Sequence, residues 1–254
     1  MQEDALEFVI IGAGAAGEAA AHMARARGAS VAIVDRELFG GSCPFWACMP
    51  SKTLLHAAAV HACGGDYEWP KASARRDYMI NREGTDWPSD AGHVSSLEGA
   101  GAVTVRGTAR ITGPGTVVVS VEGEDGHRTL RARHIVIAVG STPTIPTIDG
   151  LESITPWTNR QATTARTLPD SLVILGAGPT GVEIAQVYAR YGVPTVLIAP
   201  QTAINPKDHP RNSAAIEAGL QRDGVAIRKG VRATRLEAHA GAAGAHLVRL
   251  SDGS

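Results

Sequence analysis

The feature that most constrains the fold is a pattern that occurs twice in these 254 residues. Each copy has an apolar strand, a turn with the spacing G-x-G-x-x-G, a helix rich in small and apolar residues, and a second apolar strand. The first copy covers residues 8–34 and the second covers residues 172–198. This order is typical of a βαβ unit in a parallel sheet that binds a dinucleotide at its glycine-rich turn. The repeat predicts an α/β fold with two Rossmann-like dinucleotide-binding domains.

The three glycines of each turn have separate tasks. The first permits the tight exit from the strand, and the third permits close packing of helix against strand. The second lets the backbone approach a pyrophosphate, which binds at the unpaired N–H groups of the helix N-terminus. The expected cofactor-binding residues of the two turns are Gly12, Gly14, Ala15, Ala16, Gly17, Gly176, Gly178, Pro179, Thr180 and Gly181.

The residue that ends the second strand of each copy is expected to lie near the ribose of the bound nucleotide. Asp35 follows Gly12 by 23 residues and is placed to accept a hydrogen bond from a ribose hydroxyl. The equivalent residue in the second copy is the neutral Ala199. It provides neither the carboxylate expected for NADH nor a cation for the 2′-phosphate of NADPH. Lys207 and Arg211 are the nearby cationic candidates, so the choice of nucleotide stays open.

Smaller elements surround the two copies. Short strands between them predict a small antiparallel β element inserted in the first domain. We expect a first domain over residues 1–150 and a second over residues 151–254, which ends at a turn and is expected to be truncated. The other predicted elements are helices at 50–63 and 211–222, strands at 103–107, 116–121, 128–131, 135–139, 225–228, 231–237 and 245–250, and an extended connector at 142–146.

Composition excludes several classes of partner. The net charge is −1, so no strong field attracts nucleic acid or an anionic membrane. No apolar run reaches the roughly 20 residues that span a bilayer, and the acidic residues 1–4 lack the basic start of a signal peptide. We therefore expect a cytoplasmic protein, in which three cysteines are not expected to form a structural disulfide framework.

A close cysteine pair, Cys43 and Cys48, follows the first βαβ unit. A thiol pair beside a nucleotide site is typical of electron transfer, whereas two buried apolar residues are the structural alternative. On a regular helix the two Cα atoms would lie roughly 8–9 Å apart, beyond disulfide reach. A bridge therefore needs irregular backbone, which Pro44 and the two preceding glycines permit. No second Cys/His pair has zinc-ligand spacing, so no metal site is expected, and Cys63 is interpreted as a helix-end residue.

The run Gly-Gly-Ser-Cys-x4-Cys-Met-Pro-Ser-Lys at 40–52 resembles the redox-active segment of the pyridine nucleotide–disulfide oxidoreductases. These flavoproteins include dihydrolipoamide dehydrogenase, glutathione reductase and mercuric reductase. The spacing from residues 35–37 to the cysteines is similar to that of the family. The family pattern is also matched at residues 138–143, where Val139 replaces a threonine, and at the second fingerprint, residues 176–183. The resemblance spans the chain.

This resemblance implies FAD in the first domain and NAD(P)H in the second. Cys48 would be the charge-transfer thiol against the flavin, and Cys43 the interchange thiol that attacks an incoming disulfide. Lys52 would contact the flavin and face Glu183, since a buried lysine needs a carboxylate partner. The resemblance further implies cofactor contacts at Arg36, Gly41, Ser42, Gly107, Gly140, Ser141 and Val231.

The sequence also departs from the family. Phe45 and Trp46 are bulky and are expected to narrow access to Cys43. The family's Gly-Asp flavin motif and its dimerisation domain, which carries a His–Glu acid–base pair, do not occur in this sequence. The resemblance implies a homodimer for the full-length form, with a small-molecule or protein disulfide, a quinone or a metal ion as acceptor.

Three functions stay open. The first is an FAD-dependent oxidoreductase that uses a Cys43–Cys48 disulfide to pass electrons from NAD(P)H to an acceptor. The second is an NAD(P)H oxidase or quinone reductase with inert cysteines. The third is a non-catalytic nucleotide-binding fragment.

Overall fold

The computed structural model describes residues 6–121, 126–238 and 246–254. These ranges contain helices and parallel strands in both halves of the chain, and the predicted α/β class is confirmed. Within the described ranges, no helix is both long and apolar enough to cross a membrane. The acidic residues 1–4 lie outside the described part of the chain.

The chain divides into two compact units. The first consists of residues 1–49 and 78–142, and the second of residues 50–77 and 143–254. Each unit has its own parallel sheet and its own apolar core. Residues 50–77 pack with the second unit, although the predicted first domain includes them.

The first unit opens with the predicted βαβ unit and continues into the thiol segment. Its elements are β1 (Leu6–Ile11), α1 (Ala15–Arg25), β2 (Val31–Asp35), α2 (Ser42–Phe45), the start of α3 (Cys48–Ala62), the end of α4 (Trp69–Met79), α5 (Ala91–Gly99), β3 (Val103–Gly113), β4 (Thr116–Val121) and β5 (His127–Ile137).

The five strands of this unit close on themselves in the order β1-β2-β3-β4-β5. β1 is parallel to β2 and β5, and β2 is parallel to β3. β4 pairs antiparallel with both β3 and β5, which forms the expected antiparallel element. Residues 127–131 of β5 pair with β4, and residues 132–137 pair with β1. The two strands predicted at 128–131 and 135–139 are therefore one strand, because the chain changes partner without leaving the extended conformation.

Apolar side chains cover both faces of this sheet. Ile10 and Ile33 pack on one side with Phe39 and Leu97. Val9 is on the opposite face, where it packs with buried side chains of the antiparallel element. Successive residues of a strand point to opposite faces, so a strand buried on both sides needs a continuous apolar run.

The second unit contains the second βαβ unit. Its elements are most of α3 and α4, α6 (Asn159–Thr164), β6 (Leu172–Leu175), α7 (Pro179–Arg190), β7 (Thr195–Ala199), α8 (Pro210–Arg222), β8 (Ala226–Lys229), β9 (Ala233–Ala238) and β10 (His246–Leu250). The parallel sheet has the order β6-β7-β8, and β9 and β10 form an antiparallel pair. α3 packs against α7 through Leu54, Ala58, Val187 and Tyr188.

Helix α4 lies in a stretch where the sequence shows no clear apolar period. A charged residue, Arg76, anchors it instead, and its side chain is fully buried. The guanidinium donates to the Asp77 carboxylate at 2.7 Å, to the Ala165 carbonyl at 3.0 Å and to the Thr163 carbonyl. A buried cation is tolerated only when its donors are paired in this way.

Candidate active site

The first glycine-rich turn joins β1 to α1. Gly12 has a φ of 100°, and Gly14 is the N-cap of α1. A Cβ at Gly12 would collide with the Ala138 carbonyl, and one at Gly17 would collide with the Gly12 carbonyl. By contrast, the nearest atom to a Cβ at Gly14 is the Gly41 Cα, 3.8 Å away. The outer glycines are thus required by packing, whereas the middle one leaves space beside the helix N-terminus, where Ala15 and Ala16 are exposed.

The second turn repeats this arrangement between β6 and α7. Gly176 has a φ of 107°, and Gly178 is the N-cap of α7 with an extended conformation like that of its counterpart in the first turn. A Cβ at Gly181 would collide with the Gly176 carbonyl, whereas a Cβ at Gly178 meets nothing within 4 Å. Pro179 and Thr180 are exposed in the first turn of the helix. Both turns therefore offer open backbone at a helix N-terminus, which fits a pyrophosphate.

Asp35 holds the loop that leaves β2. Its Oδ2 accepts a hydrogen bond from the Ala13 N–H at 2.7 Å, and its Oδ1 accepts one from the Glu37 N–H at 2.8 Å. A carboxylate has about four acceptor positions, so a ribose hydroxyl can still be accommodated. The neighbouring Arg36 is exposed.

The thiol segment contains the irregular backbone that a cysteine bridge requires. α2 ends at Phe45, Trp46 has a φ of −127°, and α3 begins at Cys48. Cys43 is half-buried on α2 and Cys48 is exposed at the start of α3, so the two lie on separate helices. Among the described residues, no group of three His, Cys, Asp or Glu side chains is arranged to hold a metal ion.

The thiol segment lies directly against the first nucleotide turn. Gly40 donates its N–H to the Ala13 carbonyl at 2.8 Å and forms an isolated bridge with Gly14. A Cβ at Gly41 would lie 2.6 Å from the Gly14 Cα, and the φ of Gly41 is 69°. Glycine is needed here for close approach and for its left-handed backbone. Ser42 follows as the exposed first residue of α2.

The two rings between the cysteines belong to the interior. Phe45 is 0% exposed and Trp46 is 5% exposed, and they pack with Leu38 and Ile80. The bulk that the sequence suggested near Cys43 is therefore not at the surface. These rings anchor the end of α2 to the first unit.

Lys52 and Glu183 come together in the second unit. The Lys52 Nζ lies 2.6 Å from the Glu183 Oε1, which joins α3 to α7. The Lys52 side chain is 62% exposed and that of Glu183 is 27% exposed. Exposed pairs contribute little to stability, and the ammonium is accessible to a ligand. Cys48 and Lys52 are four residues apart on α3, which places them on one face of that helix.

Other predicted contact residues have clear positions. Gly107 lies where β3 changes its partner from β2 to β4, and a Cβ there would collide with the Ser120 carbonyl. Gly140, with a φ of 68°, and the exposed Ser141 follow β5. Val231 is 9% exposed and packs in an apolar cluster with Leu250. Its side chain belongs to the core, so a nucleotide contact there would involve its backbone.

Sequence reasoning missed a partly buried ion pair, Asp90–Arg106, that holds the loop before the thiols. Asp90 Oδ2 accepts from the Phe39 N–H at 2.8 Å and from Arg106 Nη2 at 2.6 Å. Arg106 also donates to the Glu37 carbonyl, and its guanidinium lies 5.1 Å from the centre of the Phe39 ring. The signal in the sequence that could have drawn attention to Asp90 is its position at the N-cap of α5. Its side chain binds a distant loop instead of capping its own helix.

Residues 6–254 match the family described as pyridine nucleotide-disulphide oxidoreductase. The chain belongs to this pyridine nucleotide-disulphide oxidoreductase family. The predicted membership, and the two Rossmann-type units that accompany it, are thereby confirmed.

Several oxidoreductases of this family are similar to the chain. A mercuric reductase of Streptomyces lividans is 35% identical over 246 residues, which cover 90% of this chain and 50% of the relative. A dihydrolipoyl dehydrogenase of Rhizobium etli is 29% identical, and the match covers 98% of this chain and 56% of the relative. The chain spans about half the length of the curated relatives it matches.

A solved structure shares the fold. It is the Cu(II) complex of the HOCl-induced flavoprotein disulfide reductase RclA from Escherichia coli. The TM-score is 0.82 at 24% identity, and the match covers 96% of this chain and 55% of that one. Pyridine nucleotide-disulphide oxidoreductases use FAD and NAD(P)H, so the predicted enzyme class and cofactors are those of the family.

Proposed function

We propose that this chain passes electrons from NAD(P)H through FAD to a Cys43–Cys48 disulfide, and from there to a disulfide or metal-ion acceptor. The observation that carries the proposal is the break between α2 and α3. It places Cys43 and Cys48 on separate helices, at a segment whose backbone touches the first nucleotide turn. Two inert apolar residues would not require such a segment.

The two turns support one cofactor each. The open backbone at Gly14 suits the pyrophosphate of FAD, and that at Gly178 suits NAD(P)H. When bound, FAD supplies the two-electron transfer between the nicotinamide and the cysteines. The accessible Lys52 ammonium is proposed to contact the flavin, with Glu183 fixing its position.

The cysteines then carry out thiol–disulfide exchange. Two electrons and two protons convert the Cys43–Cys48 disulfide into two thiols. The Cys43 thiolate attacks one sulfur of the acceptor disulfide, forms a mixed disulfide and releases the first acceptor thiolate. The Cys48 thiolate attacks the Cys43 sulfur, re-forms the internal disulfide and releases the second acceptor thiolate.

The acceptor and the assembly belong to the same proposal. The relatives named mercuric reductase support a metal ion, and those named dihydrolipoyl dehydrogenase support a disulfide. The proposal includes a homodimer, which rests on the family resemblance, and a cytoplasmic location, which rests on the composition of the sequence. Phe45 and Trp46 are buried, which weakens the argument from exposed bulk for an oxidase with inert cysteines.

Anaerobic titration of the flavin-loaded protein with NADPH or dithionite tests this function. We expect a long-wavelength thiolate–flavin absorption band that disappears in Cys48→Ser and persists in Cys43→Ser. Acceptor reduction should be lost in both variants and kept in the control Cys63→Ser, whose thiol is exposed at the end of α3. A band that is absent, or unchanged by Cys48→Ser, would contradict the disulfide role. Undiminished turnover of quinone or oxygen by Cys43→Ser would support the oxidase instead.

A further inference from the structure

One histidine in the first unit touches both the nucleotide-binding helix and the thiol segment. His93 is in the first turn of α5, and its Nδ1 lies 2.8 Å from Glu18 Oε1 on α1. Its ring lies against Gly40, where a Cβ would be only 2.7–2.8 Å from three ring atoms. The same ring makes an edge contact with Phe45, with centroids 5.6 Å apart. Cys43 is therefore flanked on both sides along the chain by residues that this imidazole contacts.

The Glu18 carboxylate fixes the orientation of the ring. A carboxylate only accepts hydrogen bonds, so the Nδ1 of His93 carries the proton in this pair. Glu18 is in the first turn of α1, directly behind the nucleotide turn, and its side chain is 19% exposed. The pair thus connects the helix that would bind the flavin pyrophosphate to the backbone around Cys43.

The orientation of α2 depends on such contacts. This helix has only four residues, which is too short to be stable by itself. Its C-terminal end is anchored by the buried rings of Phe45 and Trp46. Its N-terminal end follows Gly40 and Gly41, which have φ values of 100° and 69° and little intrinsic stiffness. The imidazole packs against Gly40, so removal of the ring would leave space beside that end of the helix.

A second contact from α5 holds the residues just before this point. Asp90, one turn from His93, binds the Phe39 N–H and Arg106. The loop is therefore fixed as far as Phe39, and the Gly40 N–H is bound by the Ala13 carbonyl. The imidazole adds a side-chain contact to a residue whose backbone is already hydrogen-bonded.

We propose that His93 and Glu18 form a positioning pair that orients Cys43 for disulfide formation with Cys48. This inference rests on the proposed redox role of the two cysteines. Disulfide geometry is narrow, and a disulfide whose two cysteines are held away from that geometry is more easily reduced. Loss of the ring should therefore make the internal disulfide less stable relative to the dithiol.

The test measures the equilibrium constant of the Cys43–Cys48 couple in glutathione buffers, with thiols trapped by maleimide and counted by mass spectrometry. The flavin-loaded protein with Cys63→Ser serves as the background. We expect His93→Ala to favour the dithiol about tenfold, which is about 30 mV for a two-electron couple. Glu18→Ala should shift the constant in the same direction, and the double variant should add little to His93→Ala.

Two further variants separate positioning from general stability. His93→Phe keeps a ring against Gly40 but loses the hydrogen bond to Glu18, so its shift should equal that of Glu18→Ala and stay below that of His93→Ala. His127→Ala removes an exposed histidine at the start of β5 and should change nothing. Thermal unfolding of each variant records whether its fold is retained.

Three results would overturn the inference. An unchanged constant in folded Glu18→Ala and His93→Ala would do so, as would independent, additive shifts in the double variant. In both cases the proposed function still stands if the parent protein forms the Cys43–Cys48 disulfide. If the parent forms no Cys43–Cys48 disulfide in any buffer, the proposed function fails and the inference fails with it.

Discussion

Two of the three glycines of the second turn, Gly178 and Gly181, are expected to give opposite phenotypes when each is changed to alanine. In Gly181→Ala the new Cβ collides with the Gly176 carbonyl, a backbone group that cannot rotate away. Overpacking of this kind costs about 3 kcal/mol. Alanine in place of glycine inside helix α7 offsets about 1 kcal/mol of that. The net loss of about 2 kcal/mol should lower the Tm by about 4–8 °C.

In Gly178→Ala the new Cβ meets nothing within 4 Å, and the φ of −80° suits alanine. The free energy of unfolding should therefore change by less than about 0.5 kcal/mol. The methyl group would, however, occupy the space proposed for the pyrophosphate. A clash costing about 1.4 kcal/mol or more raises the Kd for NAD(P)H at least about tenfold.

Differential scanning calorimetry and fluorescence titration with NADH and NADPH separate the two effects. The matched pair in the first turn, Gly17→Ala and Gly14→Ala, should behave in the same way towards stability and flavin retention. The reasoning would be refuted if Gly178→Ala bound nucleotide as the parent does, or if Gly181→Ala kept the parent Tm.

Three other substitutions test contacts and stability elsewhere in the chain. Asp90→Asn removes the charge that pairs with Arg106 and should lower the free energy of unfolding, measured in urea, by about 1–3 kcal/mol. An unchanged free energy of unfolding would contradict the supporting role of this ion pair. Burial, together with the neighbouring Tyr67 and Glu68, raises the pKa of Tyr191 to about 12. The unfolded chain loses the Tyr191 proton first, at about pH 10, so the contribution of Tyr191 to the free energy of unfolding is complete below pH 10 and should decrease as the pH rises towards 12. Urea titrations of Tyr191→Phe should show a smaller decrease in the free energy of unfolding over this pH range. An equal decrease in both proteins would exclude Tyr191 as the cause. Cys63→Ser should change the free energy of unfolding by less than about 0.5 kcal/mol, and a larger loss by thermal unfolding would reveal an unsuspected packing role.

Local patterns in the sequence were sufficient to predict the two βαβ units. A left-handed glycine, a continuous apolar strand and a helix with a glycine N-cap are properties of neighbouring residues, and both turns have the expected conformation. For Cys43 and Cys48 the same local reasoning gave only a condition, that a bridge needs irregular backbone, and the structure has such backbone between α2 and α3. Local reasoning did not find helix α4, because a fully buried arginine anchors this helix in place of an apolar stripe.

By itself, then, the sequence determined the fold class and the positions of the nucleotide turns, because these depend on backbone sterics and short-range periodicity. Only the tertiary structure decided that a break separates Cys43 from Cys48 and which side chains support the thiol segment. The His93–Glu18 pair joins residues 75 positions apart, and Asp90 reaches Phe39 across 51 positions. The burial of the ring of Phe45 was likewise decided by distant packing partners. Such contacts leave no periodic signal in the sequence, since each depends on how separate elements pack in three dimensions.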